Sequence, residues 1–417
     1  NIGINDPQTK MIIIRLILAL YSLLVVYYSY KITELLSNSI TAYYTALLNA
    51  ILWFMPFVSV HNFVEVVCLP PLMYSIYKLL QPFKNNIFSI ILAGFIGGIA
   101  ISFRYQTSLI LLGIIAFLFL KKKYRTFFLY TVGIIISLIV FQGLIDYIFL
   151  GKPFIELYEY IKYNIYSAQD YNFNNWSSYF WVLSLIYIPP LSFLILIGFF
   201  ISYKKTPLIF WGTLLFIIFH SLFINKQERF MLSIIPLLLI CGSVGMYNYI
   251  IPYGKFNTKN IIVKISLIIF IIINAILLPV ISTTYSKKAR VESAYYLFNN
   301  GRDVNGLIIE DSNNNSAKLI PFFYLGKWVP YYEISEAIPI ETYDNFFKTS
   351  SLKELPNYII MYEDKNLSTR ITRLLKYFPE IKYETTIYSS FLDKLLYKIN
   401  PYNKNQDIYI FKIIHHS

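Results

Sequence analysis

Of 417 residues, 56% are hydrophobic, 18% aromatic and only 14% charged, where soluble domains carry roughly a quarter charged. That balance excludes an ordinary soluble enzyme. The formal net charge of +13 therefore raises the question of which membrane face holds the bases, and does not point to nucleic acid.

Uncharged apolar runs at 126–145, 171–203, 206–225, 230–254 and 265–286 each reach the roughly 20 residues a bilayer-spanning helix needs. They are too numerous for a signal peptide or a lone anchor. Taken in order, the pattern predicts spans at 11–30, 40–60, 62–80, 86–102, 104–120, 125–148, 179–203, 206–224, 229–250 and 262–282. The pair 86–102 and 104–120 is interrupted only by Arg104, and a single helix there would invert everything upstream. Cys68 and Cys241 both fall in apolar segments without metal-ligand spacing, so neither a disulfide nor a metal is expected.

Threading the spans alternately gathers twelve bases (Lys31, Lys78, Lys84, Lys121, Lys122, Lys123, Arg125, Lys204, Lys205, Lys255, Lys259, Lys264) and one acid, Glu34, on one side. By the positive-inside rule that side is cytoplasmic. The other side collects the remaining seven acids of the membrane region (Asp6, Glu65, Asp146, Glu156, Glu159, Asp170, Glu228) against seven bases (Lys10, Arg15, Arg104, Lys152, Lys162, Lys226, Arg229). The chemistry is expected on that exterior face. Residues 283–417 have a different composition, with seventeen bases, fifteen acids and Asn clusters. Alternating apolar runs predict strands at Val304–Glu310, Tyr358–Tyr362 and Ile408–Ile414, and an amphipathic helix at Leu367–Tyr377. The expected architecture is an all-α polytopic bundle over 1–282 followed by a small exterior α/β domain over 283–417. No catalytic motif is found in that domain, which reads as a lid or scaffold.

Five stretches at the exterior boundary carry candidate chemistry. The densest is Asn225-Lys226-Gln227-Glu228-Arg229-Phe230, three charges between two apolar runs; a charged cluster at a membrane boundary is a functional candidate, and the plain alternative is a solvated turn. Asn62-Phe63-Val64-Glu65 opens a span, and its two polar residues, three apart, would share one helix face or merely start the helix. Arg104-Tyr105-Gln106-Thr107-Ser108 holds an arginine that is costly to bury unless it meets a carboxylate or a phosphate. Structural pairing with Glu65 or Asp146 is the alternative to a substrate role. Asp146-Tyr147 is followed by Gly151-Lys152-Pro153-Phe154 and Tyr163-Asn164-Ile165. Finally, Asp170 and Asn175-Trp176 lead into Tyr179-Phe180-Trp181, aromatics that suit an interfacial belt or sugar stacking.

The 225–230 cluster resembles the His-Lys-Glu-x-Arg-Phe signature of glycosyltransferase family 22, the polytopic mannosyltransferases that use a lipid-phosphate sugar. Asn225 stands in place of the histidine and Gln227 is inserted, so Lys226, Glu228, Arg229 and Phe230 carry the match. The other four stretches resemble, in the same order, weaker motifs of that family over about residues 1–250. The resemblance implies a C-type glycosyltransferase fold with its active site on the non-cytoplasmic face, no cofactor, and a polyprenyl- or dolichyl-phosphate hexose as donor to a glycan or glycolipid acceptor. It implies Glu228, Arg229 and Asp146 as catalytic residues, and Lys226, Arg104, Asn62, Glu65, Asp170 and Trp176 as donor-phosphate or substrate-binding ones. Bases would stabilise charge on the leaving phosphate, and carboxylates would orient hydroxyls or take a proton. The location would be the inner membrane of a bacterium or the endoplasmic reticulum of a eukaryote. Family members place an Asp, taken as catalytic base, in an exterior loop after a first span. The chain starts at Asn1, its first thirty residues contain only one acid, Asp6, and a missing upstream span with that Asp is therefore expected. A polysaccharide polymerase or ligase, and a lipid-linked-sugar transporter or flippase, are the rival readings; no internal repeat favours the transporter.

Overall fold

The computed structural model describes residues 3–81, 86–166, 175–250, 261–301, 304–351, 354–399 and 405–415. It forms two compact units, Arg15–Ser282 and a second made of Asn1–Ile14 with Thr283–Ser417.

The first unit is a helical bundle. Among the described residues, four helices are long and apolar enough to cross a bilayer: α1 (Pro7–Leu36), Tyr124–Leu150, Glu228–Asn248 and Lys264–Ser282. A fifth crossing arises if Ser178–Ile186 and Leu191–Lys204, bent by 115° to each other, count as one span. That break falls at Pro189 and Pro190, which have no amide hydrogen to give to the helix ladder. It divides the run expected over 179–203. The segment expected over 40–60 is likewise split, into Ser39–Ile51 and Met55–Ser59, and the one expected over 62–80 forms only as Val64–Val67 and Leu69–Leu80. Ile87–Phe103 and Thr107–Leu120 are separate helices, with Arg104 extended between them at φ −152° and ψ 111°.

Small residues let these helices approach closely, which lipid-embedded packing favours. A Cβ on Gly94 would lie 2.0 Å from the Tyr130 carbonyl oxygen, fixing Ile87–Phe103 against Tyr124–Leu138. A Cβ on Gly245 would meet the Gly198 carbonyl oxygen at 1.9 Å, fixing Leu191–Ile201 against Ile235–Gly245. The second contact holds the helix that continues the 3-10 turn Glu228–Ile234, so it bears directly on where the charged cluster sits.

The second unit contains a five-stranded sheet in the order β2-β1-β3-β5-β4. Its strands are β1 (Leu307–Asp311), β2 (Tyr331–Ser335), β3 (Tyr358–Tyr362), β4 (Ile381–Ile387) and β5 (Ile408–Ile413). β1 pairs in parallel with both β2 and β3, while β5 runs antiparallel to β3 and β4. Every residue of β1 and β3 is buried, as expected for parallel strands covered on both faces. β2 and β4, half exposed, were not apparent in the sequence pattern. The start of the chain belongs to this unit. Asp6 caps α1, accepting from the Thr9 amide at 2.7 Å and the Tyr295 hydroxyl at 2.9 Å, with Pro7 in the favoured first helical position. Met11 packs on the core around Leu297 and Leu325. Asp6 thus has a capping role within the second unit.

Candidate active site

Arg104 ends the helix Ile87–Phe103, and its extended backbone turns the side chain inward, where it is 4% exposed. The guanidinium lies between the rings of Phe216 and Phe230, 5.7 Å from each centroid. Its Nε donates to Gln106 Oε1 at 3.2 Å and its Nη1 to Ser233 Oγ. Nη2 is buried with no hydrogen-bond partner. Ser233 Oγ in turn donates to the Glu65 backbone carbonyl at 2.9 Å. One hydroxyl therefore ties the first turn of Val64–Val67 to the Arg104 corner and to the turn Glu228–Ile234.

The Glu65 carboxylate is also buried, and Arg229 Nε stands 3.7 Å from its Oε1. Arg229 is half exposed, so the pair marks the rim of the cluster with Arg104 behind it. Residues 65, 104 and 229, scattered in sequence, lie close together around Ser233. Among the described residues no carboxylate comes within 4 Å of Arg104, and the pairing with Glu65 or Asp146 considered from sequence does not form.

The 225–230 segment is held from the side by Tyr179, whose hydroxyl accepts from the Gln227 amide at 3.1 Å and donates to the Gln227 carbonyl at 3.3 Å. Of the aromatic trio, Tyr179 is buried while Phe180 and Trp181 are exposed, so only the latter two suit a belt. Lys226 Nζ donates to the Phe223 carbonyl at 2.7 Å, and Arg229 Nε also donates to Gln227 Oε1 at 2.8 Å. Glu228 opens the 3-10 turn and is exposed.

The remaining candidates are dispersed. Asp146 is buried, with Gln142 Nε2 3.0 Å from both of its oxygens and the Glu156 amide 3.1 Å from Oδ2. It holds the start of the helix Ile155–Tyr166, where a negative charge is favoured. Asn62 is exposed and precedes the extended residue Phe63, so it shares no helix face with Glu65. Trp176 is 72% exposed, just ahead of the helix Ser178–Ile186. Asp170 lies outside the described residues.

Beside Arg104 opens a cavity of about 630 Å³, mainly apolar, whose lining includes Tyr105, Gln106, Gln142, Tyr160, His220 and Phe230. Gln106, the Arg104 partner, also donates to the Tyr160 hydroxyl. Gln142 sits in a π-helical turn, Ile139–Leu144, a distortion common at functional sites. Ser233, Gln142 and Tyr160 were not picked out from sequence. Ser233 did carry a signal, as the first hydroxyl in the apolar run that follows the charged cluster.

The model of the Alg9-like mannosyltransferase family matches residues 2–307. The chain belongs to that family. No curated protein sequence matches this Alg9-like chain. In fold it is similar to the crystal structure of ArnT from Cupriavidus metallidurans in the apo state, with a TM-score of 0.58 at 11% identity over 95% of this chain and 83% of ArnT. The same ArnT bound to undecaprenyl phosphate gives a TM-score of 0.57 at 11% identity over the same shares. The Alg9-like chain is a multi-pass membrane glycosyltransferase of C-type fold.

Proposed function

We propose that the chain transfers a hexose, mannose by its family, from a polyprenyl- or dolichyl-phosphate sugar to a glycan or glycolipid acceptor on the non-cytoplasmic face. The observation that carries this reading is Arg104: a buried guanidinium with an unpartnered Nη2, next to an apolar cavity and one hydroxyl away from the Glu65–Arg229 pair. A buried arginine with a donor to spare suits a phosphate oxygen, which would supply the missing acceptor with a charge-assisted bond. The apolar cavity suits a lipid chain, and the binding of undecaprenyl phosphate by ArnT, a protein of the same fold, supports that pairing of phosphate and lipid. The bias of bases to one set of connections supports the non-cytoplasmic placement.

In the reaction the bond between sugar C1 and the phosphate oxygen breaks, and its electron pair leaves with the phosphate. Arg104, Arg229 and Lys226 offset the charge that builds there. The acceptor oxygen bonds to C1 and gives its proton to a carboxylate. Glu228, exposed at the head of its 3-10 turn, is the carboxylate proposed to take it, because the oxygens of Asp146 already hold Gln142 and the Glu156 amide. Glu65 orients Arg229 from behind. The test is turnover in proteoliposomes containing radiolabelled polyprenyl-phosphate mannose and an extract of glycolipid acceptors. Label should move from the donor to an acceptor. Label that only changes leaflet while staying on its lipid, or transfer that requires a nucleotide sugar instead, would overturn the proposal.

A further inference from the structure

The sheet of the second unit reverses its winding at β1. The chain leaves β1 for β2 on one side and comes back to β3 on the other, and the carboxyl ends of parallel strands at such a switch point are where α/β sheets take ligands. The ends of β1 and β3 themselves are occupied by Arg370, which donates to Glu310 and to the Tyr362 carbonyl. One strand further on, between the end of β3 and the start of β5, lies a cleft of about 230 Å³. Glu363 and Asp364, the first residues after β3, and Asp407, the last before β5, line it. The Glu363 amide donates to the Asp407 carbonyl at 3.0 Å. Glu363 itself has φ +61°, a left-handed conformation that residues with a side chain seldom adopt and that recurs at ligand clamps.

The polar groups of the cleft are held in place by one another. Asp407 Oδ1 accepts from the Ser389 amide at 2.7 Å and the Ser389 hydroxyl at 2.6 Å, and its Oδ2 is 3.4 Å from Lys394 Nζ. Gln406 Nε2 donates to the Tyr397 hydroxyl at 3.2 Å, and that hydroxyl donates to Glu363 Oε1 at 3.4 Å. Asn405 and Gln406, in the inner wall, are 7% and 5% exposed. Their side-chain oxygens are buried with no hydrogen-bond partner among the described residues. An unmet buried acceptor is costly, and two neighbouring ones call for a ligand that brings donors.

The charges of the lining disfavour a small ion of either sign. Three carboxylates repel an anion, while the ammonium groups of Lys394 and Lys398 repel a metal cation. A neutral molecule with several hydroxyls suits both, since each hydroxyl can give to an amide or carboxylate oxygen and accept from an ammonium group. The volume is below the ~300 Å³ at which pockets for larger ligands begin, which leaves room for one sugar ring. We infer that this cleft of the α/β unit binds a single sugar residue of a glycan. Asn405, Gln406, Glu363 and Asp364 take its hydroxyls, and Tyr397 fixes the Gln406 and Glu363 side chains that meet it. The site belongs to the α/β unit alone and stands whether or not the bundle takes a lipid-linked donor.

The full chain, in nanodiscs free of glycoside detergent, is titrated with the methyl α-glycosides of mannose, glucose and galactose and followed by saturation-transfer NMR. At least one of the three should bind saturably. Asp364→Ala, at an exposed position where substitution leaves folding intact, and Tyr397→Phe, which removes only a hydroxyl, should each weaken that binding roughly 2- to 10-fold with a melting temperature near wild type. Arg104→Gln should bind the glycoside as wild type does. No saturable signal from any of the three, equal affinity in wild type and both α/β variants, a loss confined to Arg104→Gln, or displacement of the glycoside by millimolar calcium would each overturn the inference.

Discussion

Two arginines are buried in this molecule to nearly the same degree and in opposite ways. Arg370, in the α/β unit, is 7% exposed. Its Nε donates to Glu310 Oε2 at 2.7 Å and Nη2 to the same carboxylate, while the carbonyls of Tyr362, Glu363 and Lys365 accept at 2.8, 3.0 and 3.1 Å. Its N–H groups are thus satisfied by groups of the protein, and it ties the ends of β1 and β3 to the helix Leu367–Leu375. Arg104, in the bundle, is 4% exposed and has a serine, a glutamine and two aromatic faces, with Nη2 left over. Burial of a charge is costly in both places. A guanidinium whose donors are all met is architecture, whereas one kept short of acceptors beside a cavity is ready for an anion.

The largest effect expected from that contrast is on Arg370. Arg370→Ala strands the Glu310 carboxylate in the core, and breaking a buried pair costs about 3–5 kcal/mol. Limited proteolysis should show the α/β unit opening. Arg104→Gln should act on catalysis instead, lowering transfer by about 100- to 1,000-fold, or roughly 2.7–4 kcal/mol, as when a transition-state donor is removed. Its melting temperature in detergent should stay near wild type, because no buried carboxylate loses its partner. Equal loss of stability in the two variants would erase the distinction.

A smaller effect belongs to Tyr179→Phe, which removes the hydroxyl that brackets Gln227. The loss of about 0.5–1.5 kcal/mol should appear as faster amide hydrogen exchange over residues 225–230, with a modest fall in rate. The smallest concerns Asp6, whose carboxyl is held below its ordinary range chiefly by the Thr9 hydroxyl and amide. A lowered folded-state pKa means the stabilisation is complete above the unfolded value near 4 and is lost as pH falls through the folded value. Asp6→Asn should therefore melt below wild type at pH 6, and the gap should close toward pH 3.

The sequence was informative wherever periodicity or charge alone determines the outcome. Apolar runs located the long helices and β1, β3 and β5, and the cost of charge in a membrane drew attention to Glu65, Arg104 and Arg229, which lie close together in the fold. It was silent where structure depends on partners distant in the chain. Ser233 is an ordinary hydroxyl until it meets both Arg104 and the Glu65 carbonyl. Asp146 has the composition of a catalytic acid, yet its oxygens serve Gln142 and a helix start. Asn62 fails to share a face with Glu65 because the chain at Phe63 is still extended. The half-exposed β2 and β4 lack the continuous apolar signal of buried strands, and nothing in residues 3–14 announces that they pack with residues 283 onward.

The central claim is that Arg104 awaits a lipid-linked phosphate, and equilibrium binding of polyprenyl phosphate to wild type and Arg104→Gln in the same detergent tests it most directly. A hydrogen bond to a charged group is worth about 1.5–3 kcal/mol, so the variant should bind roughly 10- to 150-fold more weakly at an unchanged melting temperature. Equal affinity in the two proteins would contradict the account.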